Sequence, residues 1–169
     1  AEPPMASVLH SLEIPKAGGD TSFGNMYKAL ETLPVDLRRE IEHRIANHDS
    51  SMTSVGELRA GAGAVVDVRS APGAKHPMVR VHPATGGKAL YLGRRMNGYV
   101  EGMDVAASEK LLDALWAHCT KPEFTWTHQW RVGDLLIWDN RCTIHRRDSF
   151  NGAERRVMHR TQIKGDRPR

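Results

Sequence analysis

The residues best equipped for chemistry lie toward the C-terminal end of this chain. His145 closes the run Trp138-Asp139-Asn140-Arg141-Cys142-Thr143-Ile144-His145, and after nine intervening residues comes Arg155-Arg156-Val157-Met158-His159-Arg160. An imidazole titrates near neutral pH and is a common transition-metal ligand. An arginine meets a carboxylate with two parallel hydrogen bonds and keeps its charge. If the stretch 155–163 is a strand, Arg156, Met158, Arg160 and Gln162 share one face. The Cα atoms of Arg156 and Arg160 then lie about 13 Å apart, at about 3.3 Å per residue. Two guanidinium groups at that spacing could hold both ends of a short dicarboxylate, or one dicarboxylate and one acidic substrate. The plain alternative is a row of surface charges that keeps an edge strand from pairing with other chains.

The elements that must position these residues can be read from their periodicity. The stretch 135–139 reads as a buried strand, 142–145 as its continuation or neighbour, and 124–130 as a strand with Phe124, Trp126, His128 and Trp130 on one buried face. On that strand His128 reads as a hydrogen-bonded structural histidine. The clearest helix is 106–119, with Leu111, Leu112, Leu115, Trp116 and Cys119 on one stripe. A short helix is expected over 25–33 and a second over 34–48, where Leu37, Ile41 and Ile45 recur every four residues and His43 and His48 fall on the solvated face. The Ser- and Gly-rich stretch 50–63 reads as a loop. Short strands follow over 65–69, 78–82 and 88–92, a spacing that suits a sandwich or barrel.

Several separated segments together are more specific than any one of them. Gly18-Gly19-Asp20-Thr21 with the following FGNMYKALETLP, the segment HPMVRVHPATGGKALYLG, LLDALWAHCTKPEFTWTHQW, and GDLLIWDNRCTIHRR followed by RRVMHRTQIKGDRP resemble, in order, the TauD/TfdA family of iron(II), 2-oxoglutarate-dependent dioxygenases. The resemblance implies a mainly β fold with helical insertions, a double-stranded β-helix or jelly roll, incomplete at its N-terminal side. Residues 1–169 then form a single incomplete domain. It implies Fe(II) as cofactor, 2-oxoglutarate as co-substrate, and O2 with a small organic anion as reactants. His145 matches the distal histidine of the iron-binding triad, Arg156 the arginine that grips the far carboxylate of 2-oxoglutarate, and Thr21 the threonine that assists it. Arg160 matches a second arginine that faces either the substrate's acid group or the near carboxylate of the co-substrate. Met96 and Tyr99 are candidates for apolar substrate contact; both could equally be loop filler.

The departure from the family matters as much as the match. A facial triad needs two histidines and a carboxylate, and in this family two of the three come as His-x-Asp or His-x-Glu. The residues two positions after the nine histidines are Leu12, Ile45, Ser50, Met78, Ala84, Thr120, Trp130, Arg147 and Thr161, so the pair is missing. In the family it lies upstream of the Gly-Gly-Asp-Thr run, which projects it ahead of Ala1. We expect that an upstream portion was removed, because Ala1-Glu2-Pro3-Pro4 enters a strand-like run with no initiator methionine. A naturally truncated, non-catalytic jelly-roll domain and a partner chain that supplies the ligands are the alternatives.

Composition narrows the remaining classes. With 40% hydrophobic and 26% charged residues the chain is an ordinary globular domain, expected to be cytoplasmic. Cys119 and Cys142 are too few and too separated for a metal knuckle or redox pair. A net charge of +4 invites a nucleic-acid reading, but the basic residues are dispersed and aromatics make up only 6%. A mild positive field suits anionic small molecules better. Neither a nucleic-acid nor a membrane partner is expected, and homo-oligomerisation stays open.

Overall fold

A computed structural model describes residues 2–53, 56–93 and 96–169. The chain begins with β1 (Ala6–Glu13) and β2 (Thr21–Asn25), which belong to different sheets. After a long insertion come β8 (Thr125–His128), β9 (Leu135–Asp139), β10 (Thr143–Arg147) and β11 (Val157–Ile163). The first sheet has the order β11-β1-β9 and the second β10-β2-β8, with every pairing antiparallel. From β8 onward the chain changes sheet at each strand.

The two sheets face each other through aromatic rings. Trp138 of β9 meets Phe23 of β2 edge-on at 5.3 Å between ring centroids, and lies 5.0 Å from His145 of β10. Period-two alternation places Leu136 and Trp138 inward and turns Leu135 and Ile137 outward. Both outward residues are 61% exposed, so β9 is a half-buried strand rather than the fully buried one expected. On β11 the alternation puts Met158, Arg160 and Gln162 on the inner face, while Arg156 lies one residue ahead of the strand. The aromatic row splits as well. Phe124 joins the core of the insertion and Trp130 is buried, but Trp126, on an edge strand and stacked on Phe23, is 57% exposed. His128 is hydrogen-bonded to Asp134 at 3.0 Å, a structural role.

The insertion carries most of the apolar core. It contains α1 (Met26–Glu31), α2 (Val35–Ile41), β3 (Ile45–Asp49), β4 (Gly73–Pro77), β5 (Val79–Val81), β6 (Lys88–Leu90), β7 (Tyr99–Val100) and α3 (Val105–Cys119). Asn25 starts α1 by accepting the backbone N–H groups of Tyr27 and Lys28, and Asp104 starts α3 by accepting that of Ala107. The α3 stripe packs Leu111, Leu112, Leu115 and Cys119 against Met26, Leu30, Ile41, Met78 and Leu90. His118 on the same helix reaches the Ala29 carbonyl at 2.9 Å and joins α3 to α1.

Two expected elements differ here. The second helix stops at Ile41, and Ile45–Asp49 instead forms β3 between β4 and β7. Ile45, Asn47 and His48 are poor helix formers, and pairing on both sides outweighs the four-residue repeat. Ile45 is therefore exposed, and His48 sits in a strand with its ring stacked on Tyr91. The stretch 65–69 is not a strand. Asp67 accepts the Arg69 backbone N–H and pairs with its guanidinium, closing the single 3-10 turn Val68–Ser70.

The turn between β9 and β10 is fastened by Asp139. Its carboxylate accepts from the Arg141 backbone N–H at 2.8 Å, from Arg141 Nε at 2.9 Å and Nη2 at 2.6 Å, and from His82 Nε2 at 3.0 Å. His82 Nδ1 accepts the N–H groups of Ala84 and Thr85, so the ring proton lies on Nε2, pointing at Asp139. Asn140 donates to the Pro4 carbonyl and Ser7 Oγ, tying the same turn to β1. Burial works against ionisation of Asp139, but the Arg141 and His82 donors outweigh it and hold the carboxyl well below the usual range.

Asp139→Ala is expected to cost about 2 kcal/mol at neutral pH, the scale of lost hydrogen bonds to a charged group. Because the folded pKa lies below the ordinary value of about 3.9, the contribution is complete above about pH 4 and is lost as pH falls through the folded value. Urea denaturation of both proteins across this range should show their stabilities converging in acid. A constant difference would remove ionised Asp139 as its source.

Candidate functional site

Three strands and one turn bring the candidate residues together. Thr21 opens β2, His145 lies on the same face of β10, and register places His145 opposite Phe23 and Arg147 opposite Thr21. Arg156 reaches the group from the turn ahead of β11. Gly18 and Gly19 make this approach possible. Both have positive φ, a Cβ on Gly18 would fall 2.3 Å from the Ser149 carbonyl oxygen, and one on Gly19 would crowd Arg156 Nε at 3.2 Å.

Arg156 and Trp130 line one small polar recess, and Thr21 is joined to it through Trp130. Thr21 is buried, and its hydroxyl oxygen accepts the Trp130 indole N–H at 3.0 Å. Its own proton is thereby left to donate elsewhere. Arg156 donates from Nε to the Gly19 carbonyl at 3.0 Å and lies 6.0 Å from the Trp130 ring centroid. Its terminal nitrogens have no protein acceptor among the described residues. Burial lowers its pKa, nearby Arg147 adds to this, and Asp20 opposes it. The recess measures about 340 Å³ and is walled by Gly18, Gly19, Asp20, Gln129, Trp130 and Arg156.

His145 stands at a larger cleft of about 600 Å³ whose walls include Phe23, Met96, Trp116, Ile144 and Arg146. The residue is open to solvent on the cleft side, and the rings of Phe23 and Trp138 lie against it at 6.3 and 5.0 Å. This enclosure, and secondarily the charge of Arg160, lower its pKa, so the imidazole is neutral and its lone pair available at neutral pH.

The structure thus links Thr21 to Arg156 through Trp130, sets Arg160 within electrostatic reach of His145, and puts Met96 on the His145 cleft. Tyr99 is elsewhere. Its side chain is 5% exposed and its hydroxyl donates to the Met103 carbonyl within the insertion. Sequence reasoning missed Trp130, taken for core packing alone, although its N–H orients Thr21. It also missed Arg147, which a two-residue step from His145 on a strand could have revealed.

An iron site is not complete on these residues. Among the described residues the one group of three ligand-bearing side chains close enough to share a cation is His82, Asp139 and Cys142, in the β9–β10 turn and not at His145. There Arg141 already fills the carboxylate and the His82 proton points toward it. His145 therefore offers a single ligand, and one imidazole does not hold Fe(II) usefully.

Two facing antiparallel sheets with a helical insertion are the jelly-roll architecture of 2-oxoglutarate-dependent dioxygenases. The chain matches the family model described as taurine catabolism dioxygenase TauD, TfdA family, over residues 1–162, and it belongs to that family. It is 34% identical over 165 residues to the alpha-ketoglutarate-dependent 2,4-dichlorophenoxyacetate dioxygenase of a Burkholderia species, covering 96% of this chain and 54% of that protein. It is also 34% identical over 169 residues to an alkylsulfatase of Acinetobacter baylyi, covering 96% of this chain and 53% of the relative. The crystal structure of AAD-2 in complex with Mn(II) and N-oxalylglycine superposes with a TM-score of 0.86 at 29% identity, covering 99% of this chain and 66% of that one. The chain spans about half the length of the curated relatives it matches.

An NMR pH titration of the His145 ring is expected to give a midpoint below the ordinary value of about 6.5. Arg160→Ala should move it upward only part of the way, since enclosure is the larger cause. A midpoint indifferent to Arg160 would show that the two side chains do not sense each other.

Proposed function

We propose that residues 1–169 provide the co-substrate grip and one iron ligand of an Fe(II)- and 2-oxoglutarate-dependent dioxygenase that hydroxylates a small organic anion. The observation that carries this reading is the recess walled by Trp130 and Arg156, where the end of Arg156 is unfilled and the Trp130 indole N–H orients the neighbouring Thr21 hydroxyl. A carboxylate there would accept from both, two charge-assisted bonds from the guanidinium and one from the hydroxyl. The overall reaction converts 2-oxoglutarate and O2 to succinate and CO2 while one oxygen atom enters the substrate.

The remainder of the arrangement supports the same assignment. Neutral His145 is ready to bind a metal, and Arg160 on the inner face of β11 supplies positive charge beside it, toward the substrate or toward the near carboxylate of the co-substrate. Met96 offers apolar contact on the His145 cleft. The buried position of Tyr99 gives no support to a substrate contact there. The relatives point to sulfonates, alkyl sulfates or aryloxyalkanoates as the substrate class. When iron is bound it supplies the oxygen chemistry, and on this reading two of its protein ligands come from polypeptide outside the described residues. The lone imidazole also favours a second reading, a non-catalytic jelly-roll domain that keeps the acid-binding recess.

Succinate formation separates the two. Purified protein, supplied anaerobically with Fe(II) and 2-oxoglutarate and then with O2 and a panel of sulfonates, alkyl sulfates and aryloxyacetates, is tested alone and within a polypeptide that carries the missing pair. The dioxygenase reading expects turnover only in the completed protein, and its absence there leaves the non-catalytic domain. In an active protein, His145→Ala should abolish turnover with the fold retained. Arg156→Lys should raise the KM for 2-oxoglutarate by about tenfold or more, the equivalent of one charge-assisted bond. The KM for the primary substrate should change little, and an unaltered 2-oxoglutarate requirement would count against the role of Arg156.

A further inference from the structure

Three arginines near the C-terminal end of the chain are matched to carboxylates. Arg141 pairs with Asp139, Arg146 with Asp148 and Arg155 with Glu13. Arg147 has no ion-pair partner among the described residues, and its contact is with a ring, its guanidinium carbon lying 4.9 Å from the Phe150 centroid. Phe150 forms a β-bridge with Gly18, and Gly19 donates its N–H to the Ser149 carbonyl. The Arg147 cation is therefore held over the turn whose Gly19 carbonyl anchors Arg156. From its other side, Arg147 lies directly across the β10–β2 pair from Thr21, a separation of about 5 Å between Cβ atoms.

We propose that Arg147 is a second guanidinium for the distal carboxylate of the co-substrate, acting with Arg156 at the recess beside Trp130. The inference rests on the acid-binding role proposed for that recess. Arg147 approaches from β10 and Arg156 from the turn before β11, and the charge of Arg147 makes that of Arg156 more costly. Asp20 is the nearby carboxylate, and one of its oxygens already accepts the Trp130 backbone N–H at 3.3 Å. One carboxylate against two guanidinium groups leaves a positive excess that an incoming anion would neutralise. Arg156 makes the close, directional contact; Arg147, more exposed and propped on Phe150, adds charge and a second set of donors. Arg147 is thus a co-substrate-binding residue.

The Trp130 indole N–H, which touches Thr21, is a local reporter for the test. Uniformly 15N-labelled protein is titrated with glutarate and, separately, with pentanoate, which has the same carbon count and one carboxylate fewer. Glutarate should shift the Trp130 indole signal, and Arg156→Lys should weaken that binding. Arg147→Ala should weaken glutarate by about tenfold and pentanoate in parallel, because each seats one carboxylate in the recess, while Arg147→Lys recovers part of the loss because charge is kept. Equal glutarate affinity in wild type and Arg147→Ala would overturn the assignment. So would an equal loss in Arg147→Lys and Arg147→Ala, which marks a structural role at Phe150 rather than a charge that binds the acid. If the folded wild type binds no glutarate at all, the acid recess itself is wrong and this inference falls with it; glutarate binding that responds to Arg156 but not to Arg147 defeats only the second guanidinium.

Discussion

The saturated carboxylate of Asp139 fastens together parts of the chain that are remote in sequence. It sits at the turn that sets the relative placement of Trp138 and His145, and its two outside partners, Arg141 and His82, come from the turn itself and from the insertion. Asn140 beside it ties the same turn to the start of β1. Each bond is charge-assisted or shielded, and every donor meets an acceptor, so the arrangement has one low-energy geometry. The position of the candidate metal ligand follows from it: His145 projects where it does because the turn six residues earlier is not free to adjust.

Apolar packing and chemistry are kept apart in this molecule. Met26, Leu30, Ile41, Met78, Leu90 and Leu115 form a dense core inside the insertion, where polar side chains such as His118 are hydrogen-bonded. Between the two sheets the interior is sparser and more polar, with aromatic rings at the walls and Thr21, Arg156 and His145 holding unused donor or lone-pair capacity. The insertion stabilises a scaffold whose other end is left chemically unsatisfied, and that unsatisfied end is what a ligand would bind.

Much of this was legible in the residues. The α3 stripe, the helix after Asn25 and the inner face of β11 followed from simple periodicity, and Thr21, Arg156 and His145 became candidates through separated motifs that resemble one family. Periodicity failed where a local pattern met a stronger distant one. Leu37, Ile41 and Ile45 repeat as a helix would, yet pairing with β4 and β7 draws Ile45–Asp49 into a sheet. It failed again at Trp126 and at Leu135 and Ile137, since a sequence shows which side chains alternate but not whether anything lies over them. Trp130 was hidden for another reason. An indole that packs and donates to Thr21 carries the same letter as one that only packs, and the distinction exists only once β2 and β8 are side by side.

The strand exchange between the sheets has a consequence for how this polypeptide reaches its native state. β1 pairs with β9 and β11, more than a hundred residues further along the chain. During synthesis β1 therefore emerges well before β9 and β11, while the insertion, whose strands and helices find partners close by, can condense first. Such long-range pairing makes folding slow and leaves an apolar strand exposed to association with other chains in the interval. The kinetic hazard of this pairing thus falls on β1, and the delay lasts until β11 has been made.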